Sequence, residues 1–522
     1  KKGLVVGPNM GNNDTTRANG NVATVAIGAH SNATGSSSVA IGGGTSNGDG
    51  AVALGWVSAT GKRAVALGGT DTTSATGENA FAGSGGVVSG SNSLAISGST
   101  ATGNNALAAV GGTANGNGSI AIGWQTNAKN DATAVGSNAQ ATDKDSVAVG
   151  KNSNAAGESA TAVGSSATAS GRGGVAVGWN AESAVNAVGV GFNAKAKANN
   201  TVAIGVEANN DNAIDKNYSS VSIGVKTRAR AVGSMAMGVS ADASGKYSIA
   251  LGSGDVVNDY TLGRNYPKAT GEKTIAIGYN SNASDANAIA IGSNTLAKDA
   301  ESIAVGTSNT TAYRGGVALG RNAKAENTAI NNVAVGIDVT AGANTNGTAD
   351  GEAVAVGRNA KANSFRTVAI GSDVSATGST AVAMGRSANV SNNYGVAVGA
   401  RVEAGNYGVA LGYQAKSTAS GALAIGAGND DTKVMATATT ASGGNSVAIG
   451  TSAKASIANA VALGSDSTTA TNATKQSSAT INGITYNFAG ATSDTGMQVS
   501  VGAVGKERQI KNVAAGEVSA TS

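Results

Sequence analysis

The chain has 522 residues, with 78 Gly, 2 Pro, 4 Phe and no Cys, and its 41% hydrophobic share is mostly Ala and Val. Side chains this small cannot fill one thick globular core at native density, and without Cys there is no disulfide framework. The formal charge of +4 comes from 35 Lys and Arg scattered among 31 Asp and Glu; this argues against a nucleic-acid footprint, and no apolar run reaches the roughly 18 residues of a membrane helix.

The chain opens at Lys1 in strand-like sequence without a recognisable signal peptide, so it reads as part of a longer protein. From residue 1 to 464 one pattern dominates. The tetrapeptide Val/Ile/Leu-Ala-Val/Ile/Leu-Gly recurs, for example at Val25–Gly28, Val147–Gly150, Val202–Gly205, Ile289–Gly292, Val368–Gly371 and Val461–Gly464. Counting degenerate copies, about 30 anchors lie between Gly28 and Gly464, and the step is about 14 residues.

Residues 357–371 show a clean coil, GRNAKANSFRTVAIG. It predicts two short strands, Ala360-Lys361-Ala362 and Val368-Ala369-Ile370. Side chains alternate along a strand, so Val368 and Ile370 share one face and Ala369 takes the other. Gly371 suits a positive φ and Asn359 a tight turn. The Val/Ile pair is expected inside, against the Ala pair of the opposite strand, with Ala203, Ala290 and Ala369 outward. On the other strand Lys195, Lys324, Lys361, Lys416 and Lys454 are expected outward, where lysine keeps a sheet soluble. Stacked coils form two parallel sheets back to back. At roughly 4.8 Å per coil the expected rod is about 140 Å long, and no coil is stable without its neighbours. A strand apolar on both faces needs cover on both, so a homo-oligomer with the Val-Ala-Ile sheets inside is expected. The spacing leaves two or three subunits open.

Within this stretch, Trp56, Trp124 and Trp179 each follow an anchor glycine, as do Phe192, Tyr279 and Tyr413. They are expected on one edge, as subunit packing or as a ligand-binding ridge. The single His30 sits in a turn and reads as solvated. Four steps are long: Gly205–Gly224, Gly252–Gly278, Gly336–Gly357 and Gly426–Gly450. They predict loop insertions near 206–219, 253–274, 337–352 and 427–445, where function often resides. Residues 465–497 read as an irregular head-to-neck segment. Residues 498–522 differ from the coils and carry more charge.

The repeats together with Val499-Ser500-Val501-Gly502, Gly505-Lys506-Glu507-Arg508-Gln509-Ile510 and Asn512-Val513-Ala514-Ala515-Gly516 resemble the trimeric autotransporter adhesins, with a YadA-like head followed by a neck. The resemblance implies an all-β, left-handed parallel β-roll assembled as a homotrimer. It implies that the neck, with Lys506, Glu507, Arg508, Gln509 and Asn512, passes each chain under its neighbours and narrows the head onto a stalk. The implied partners are two further copies of the chain and a host matrix protein such as collagen or fibronectin, a host receptor or a bacterial surface. The implied setting is the bacterial cell surface, with an outer-membrane anchor outside this segment and no direct membrane contact by it. Some heads of the family bind collagen through Asn-Ser-Val-Ala-Ile-Gly motifs. One complete copy occurs here, Asn445-Ser446-Val447-Ala448-Ile449-Gly450, and the coil needs the same residues in order to fold.

Catalysis and cofactors are not expected, since no Cys nucleophile, His-Glu-x-x-His or phosphate loop is present. Two non-adhesive readings remain. One is a ligand-free structural spacer. The other is an ice-binding solenoid, which needs a flat Thr-x-Thr ladder; Thr437-Ala438-Thr439 and Thr469-Ala470-Thr471 are isolated.

Overall fold

The computed structural model describes residues 3–6, 16–19, 22–68, 72–210, 219–257, 261–262, 265–326, 330–342, 351–428, 437–488 and 497–516. Parts of all four insertions lie outside the described residues, namely 211–218, 258–260 with 263–264, 343–350 and 429–436. So do 489–496 before the neck and 517–522 at its end.

The chain is an all-β parallel solenoid of about 29 turns, with no α-helix among the described residues. It divides into two compact units, Lys1–Pro267 and Lys268–Ser522. In the first unit the Val-Ala-Ile strands pair in parallel, Val25 with Val39, Val39 with Val52, and onward to Met235 with Ile249. The Ala-x-Ala strands form a 14-stranded sheet from Arg17–Ala18 to Lys195–Ala196. In the second unit the same two ladders run from Ile275–Ile277 and Lys268–Ala269 to Val461–Leu463 and Lys454–Ala455. Most partners are 13 or 14 residues apart, and the register resumes after insertions, with Val202 beside Val221, Val333 beside Val354 and Leu423 beside Val447.

The expected alternation is present, but the faces are reversed. Ala203, Ala290 and Ala369 are fully buried, while Val368 and Ile370 point outward and are half-buried. The opposite strand contributes Ala360 and Ala362, also fully buried, and Lys361 is exposed. The core is therefore alanine facing alanine. A coil of about 14 residues brings its two sheets too close for a Val/Ile pair between them, and the interior is mostly Ala with Ser and Thr, joined by single valines such as Val88, Val374 and Val390. Most of the Ser and Thr that replace Ala bond locally, whereas the buried hydroxyls of Thr24, Ser183 and Ser240 have no partner among the described residues. Ser146 Oγ donates to Asp143 O at 2.6 Å, and Thr201 Oγ1 to Ala198 O at 2.7 Å. These hydroxyls carry no unpaired polar cost into the core.

Each coil turns two corners on left-handed residues. In the coil at 357–371, Asn359 has φ 51°, Arg366 φ 53° and the anchor Gly371 φ 138°. A Cβ on Gly371 would run into the carbonyl of Gly385, the anchor of the next coil, so this position requires glycine for space as well as for conformation. Asparagines recur at the corners and bond from coil to coil. Asn138 Nδ2 donates to Asn152 Oδ1 at 3.0 Å, and Asn79 Nδ2 to Asn92 Oδ1 at 2.8 Å.

The segment read as irregular contains an antiparallel hairpin, Ser478–Ile481 with Ile484–Asn487. Its two-residue turn, Asn482-Gly483, has φ 50° and 83°, as a type I′ hairpin turn requires. Beyond it, Val499–Ser500 returns beside Val461–Leu463 and extends the Val-Ala-Ile sheet by one strand.

Candidate functional site

Inverting the faces makes the outward side of the Val-Ala-Ile sheet the main surface feature of both units. In the first unit it presents pairs such as Val175 and Val177, Val188 and Val190, and Val202 and Ile204 in register. In the second it presents Val354 and Val356, Val368 and Ile370, and Val382 and Met384. Intervening alanines point into the core, so Cβ-branched and long apolar chains stand side by side, with Thr133 and Thr161 as the polar residues among them. Leu54, Ile122, Ile204 and Met237 of the first unit count among the exposed large hydrophobics, as do Leu319, Met384 and Leu463 of the second. Isolated exposed apolar residues need no explanation, whereas a long strip of them marks a contact surface.

The three tryptophans stand at the corner bordering this sheet in the first unit. Trp56, Trp124 and Trp179 are 50%, 64% and 52% exposed. Trp56 and Trp124 lie over Gly43 and Gly111 of the preceding coil, where any side chain would strike the ring. Trp179 stacks on Phe192 with centroids 4.8 Å apart, and Trp56 tilts against His30 at 5.5 Å. In the second unit Tyr279 is exposed at the equivalent corner, and Tyr413 Oη accepts from Arg401 at 3.1 Å. A further stack, Tyr394 on Tyr407 at 4.9 Å, occupies the other corner. The sequence reading missed it, although the 13-residue spacing of the two tyrosines carried the signal.

The Asn445–Gly450 segment splits by parity. Ser446 and Ala448 are fully buried, and Ser446 Oγ donates to Ala455 O at 3.1 Å. Val447 and Ile449 belong to the apolar sheet, and Gly450 is an anchor with φ 127°. Asn445 is exposed at a left-handed corner and faces Asn459. Only Asn445, Val447 and Ile449 present side chains to a partner.

On the opposite sheet Lys195, Lys324, Lys361, Lys416 and Lys454 point outward as expected, and two make ion pairs, Lys324 with Glu326 and Lys416 with Glu403. In the first unit the outward column reads Thr45, Ser58, Ser74, Val87, Thr100 and Thr113 in register. Hydroxyl residues thus align over more coils than the isolated Thr-Ala-Thr segments suggest. Part of the second insertion folds back on this sheet. Asp242 is buried there between Arg228 and Arg230, and Arg228 lies 5.8 Å from the Tyr266 ring.

The neck residues separate into two groups. Lys506 Nζ reaches Asp466 at 2.8 Å, and Arg508 donates to Val501 O at 2.7 Å, to Ser467 Oγ at 3.1 Å and to Ser465 O. Both cations thereby tie the neck to the last coil. The bond and charge of Lys506 hold the Asp466 carboxyl below its ordinary value of 3.8. The backbone N–H of Gly505 does the same for Glu507. Gln509 and Asn512 are exposed, and so are Val504, Ile510 and Val513. Beside Arg508 a cavity of about 460 Å³ opens between Thr468, Thr471, Ser500, Val501, Val504 and Glu507. Among the described residues no group of three or more His, Cys, Asp or Glu could hold a metal ion.

A family model described as YadA head domain repeat, built on two copies of the repeat, matches residues 22–45, 113–126, 128–153, 155–181, 183–208, 229–254, 269–295, 287–309, 352–373, 376–401, 404–429 and 441–467. These spans cover more than half of the chain and fall in both units. No curated protein matches the chain.

Proposed function

The chain belongs to the family of YadA head domain repeats, the heads of trimeric autotransporter adhesins and a structural adhesin domain rather than an enzyme, and from that premise we propose that it forms the homotrimeric head of a surface-anchored adhesin. Three left-handed rolls pack their Val-x-Ile sheets together at the centre. The polar sheets face outward and carry multivalent contacts to host matrix such as collagen or fibronectin, to host receptors or to other bacteria. The anchor lies outside this segment, at the outer membrane. The head spans residues 1–464, followed by the head-to-neck segment 465–497 and the neck 498–522. The neck residues Gln509 and Asn512, with Val504, Ile510 and Val513, meet neighbouring chains.

The observation that carries this reading is the outward Val-x-Ile strip. It is largely apolar on both units and has no cover among the described residues. Three copies in one assembly raise avidity without raising the affinity of any single contact. The test is retention of the purified chain on collagen, fibronectin, host cells and bacterial cells, with each of the four insertions deleted in turn. Binding to at least one of these surfaces supports an adhesin, and binding to none leaves a ligand-free spacer. The hydroxyl column from Thr45 to Thr113 favours one second reading, an ice-binding face, and absence of thermal hysteresis disposes of it.

A further inference from the structure

Between Gly292 and Ala312 of the second unit the solenoid breaks its own register by one residue. Ser293 pairs with Thr307, but Thr295 pairs with Thr310, so the strand Ile303–Ala312 holds one residue more than Ile289–Ala297 beside it. The extra residue is absorbed by two consecutive left-handed residues, Ser308 at φ 59° and Asn309 at φ 67°, where the two preceding coils use one each, Asn280 and Asn294. Such a bulge re-aims side chains, and bulges concentrate at functional sites.

Beside the bulge a cavity of about 240 Å³ opens, lined by Asn280, Asn282, Asn294, Leu296, Asn309 and Thr311. Asn282, Leu296 and Thr311 are successive outward residues of the polar sheet. The cavity therefore faces away from the Val-x-Ile strip and stays open when that strip is covered. None of the lining residues, Thr295 included, is ionisable, although the next outward positions on either side are Lys268 and Lys324. Asn280 Nδ2 donates to Asn294 Oδ1 at 2.9 Å, and Asn282 and Asn309 add two more amides.

An amide presents a donor and an acceptor side by side, which matches the paired hydroxyls of a sugar. Leu296 supplies an apolar floor for the C–H face of a pyranose ring, and Tyr279 is exposed at the same corner. The volume accommodates one such ring. A sialylated or sulfated unit would find no cation among the lining residues. We propose that this cavity is a subsite for one neutral sugar residue, a hexose or an N-acetylhexosamine, of a surface glycan.

The test uses the purified full chain on immobilised neutral, sialylated and sulfated glycans and a collagen-like peptide. Asn282→Ala and Asn309→Ala alter the cavity. Thr311→Val removes a hydroxyl while keeping the strand shape, and Asn389→Ala is the control at an outward position in another coil. The expected result is retention of neutral glycans, weakened about tenfold or more by each of the three cavity variants and unchanged by Asn389→Ala, with equal melting temperatures. No retention of neutral glycans, retention only of acidic glycans or of the peptide, or cavity variants that bind as the parent does would overturn it. Sugar binding by the purified chain and attachment to cells are separate readouts, so this inference and the trimeric adhesin reading can fail independently.

Discussion

Alanine at the centre of each Val-Ala-Ile strand sets the thickness of the coil. Ala369 has little room to grow, since the fully buried Ala360 and Ala362 face it. Ala369→Leu should cost about 1–3 kcal/mol by overpacking and lower the urea midpoint. Val368→Ala on the outward face of the same strand should leave the fold of a single chain nearly unchanged and weaken assembly instead. Gly371→Ala strains both the conformation and the approach of Gly385, and should destabilise by more than about 1 kcal/mol in the same measurement. The strand parity, the glycine corners and Asn359 were legible in the sequence because alternation and left-handed turns depend on local chemistry. Which face points inward was not read, although the signal was present. The middle position accepts only small residues, such as Ala, Gly189 and Ser222, whereas the flanking positions accept Val, Ile, Leu, Thr133, Met235 and Phe81. Freedom in size belongs to the face without walls.

At the scale of elements, the hairpin and the neck show what repeat-matching overlooks. Ser478–Asn487 lacks the anchor motif and so read as irregular, yet Thr-Ile-Asn-Gly-Ile-Thr carries the Asn-Gly signal between alternating residues. The neck holds to the last coil through Lys506 and Asp466. The Asp466 carboxyl is held below its ordinary 3.8 by Lys506, so its ionised form is favoured in the docked neck. That contribution is fully present above about pH 4 and is lost as pH falls through the depressed value. Acidification below pH 4 should therefore loosen the neck, read as faster hydrogen exchange at residues 499–508. Lys506→Met should remove this pH dependence, and an unchanged profile would show that the pair does not hold the neck. No sequence signal joined Asp466 to Lys506, because the pair depends on a chain reversal across the hairpin.

At the scale of the molecule, the outward Val-x-Ile strip decides the state of the protein. Covering a half-exposed Val or Ile yields about 1 kcal/mol, and the strip offers tens of such positions. Association costs about 4–15 kcal/mol, so the strip is expected to drive self-association. Substituting Val175 and Val177 by Asp should weaken the assembly while leaving the Ala core of each coil intact. The parent chain's mass in solution, by sedimentation equilibrium across a range of concentrations, reads whether the strip is covered. Three chains joined along the strip give a single species of three times 49.8 kDa that persists on dilution. A monodisperse species of 49.8 kDa would contradict it, because the apolar strip would then lie open to water.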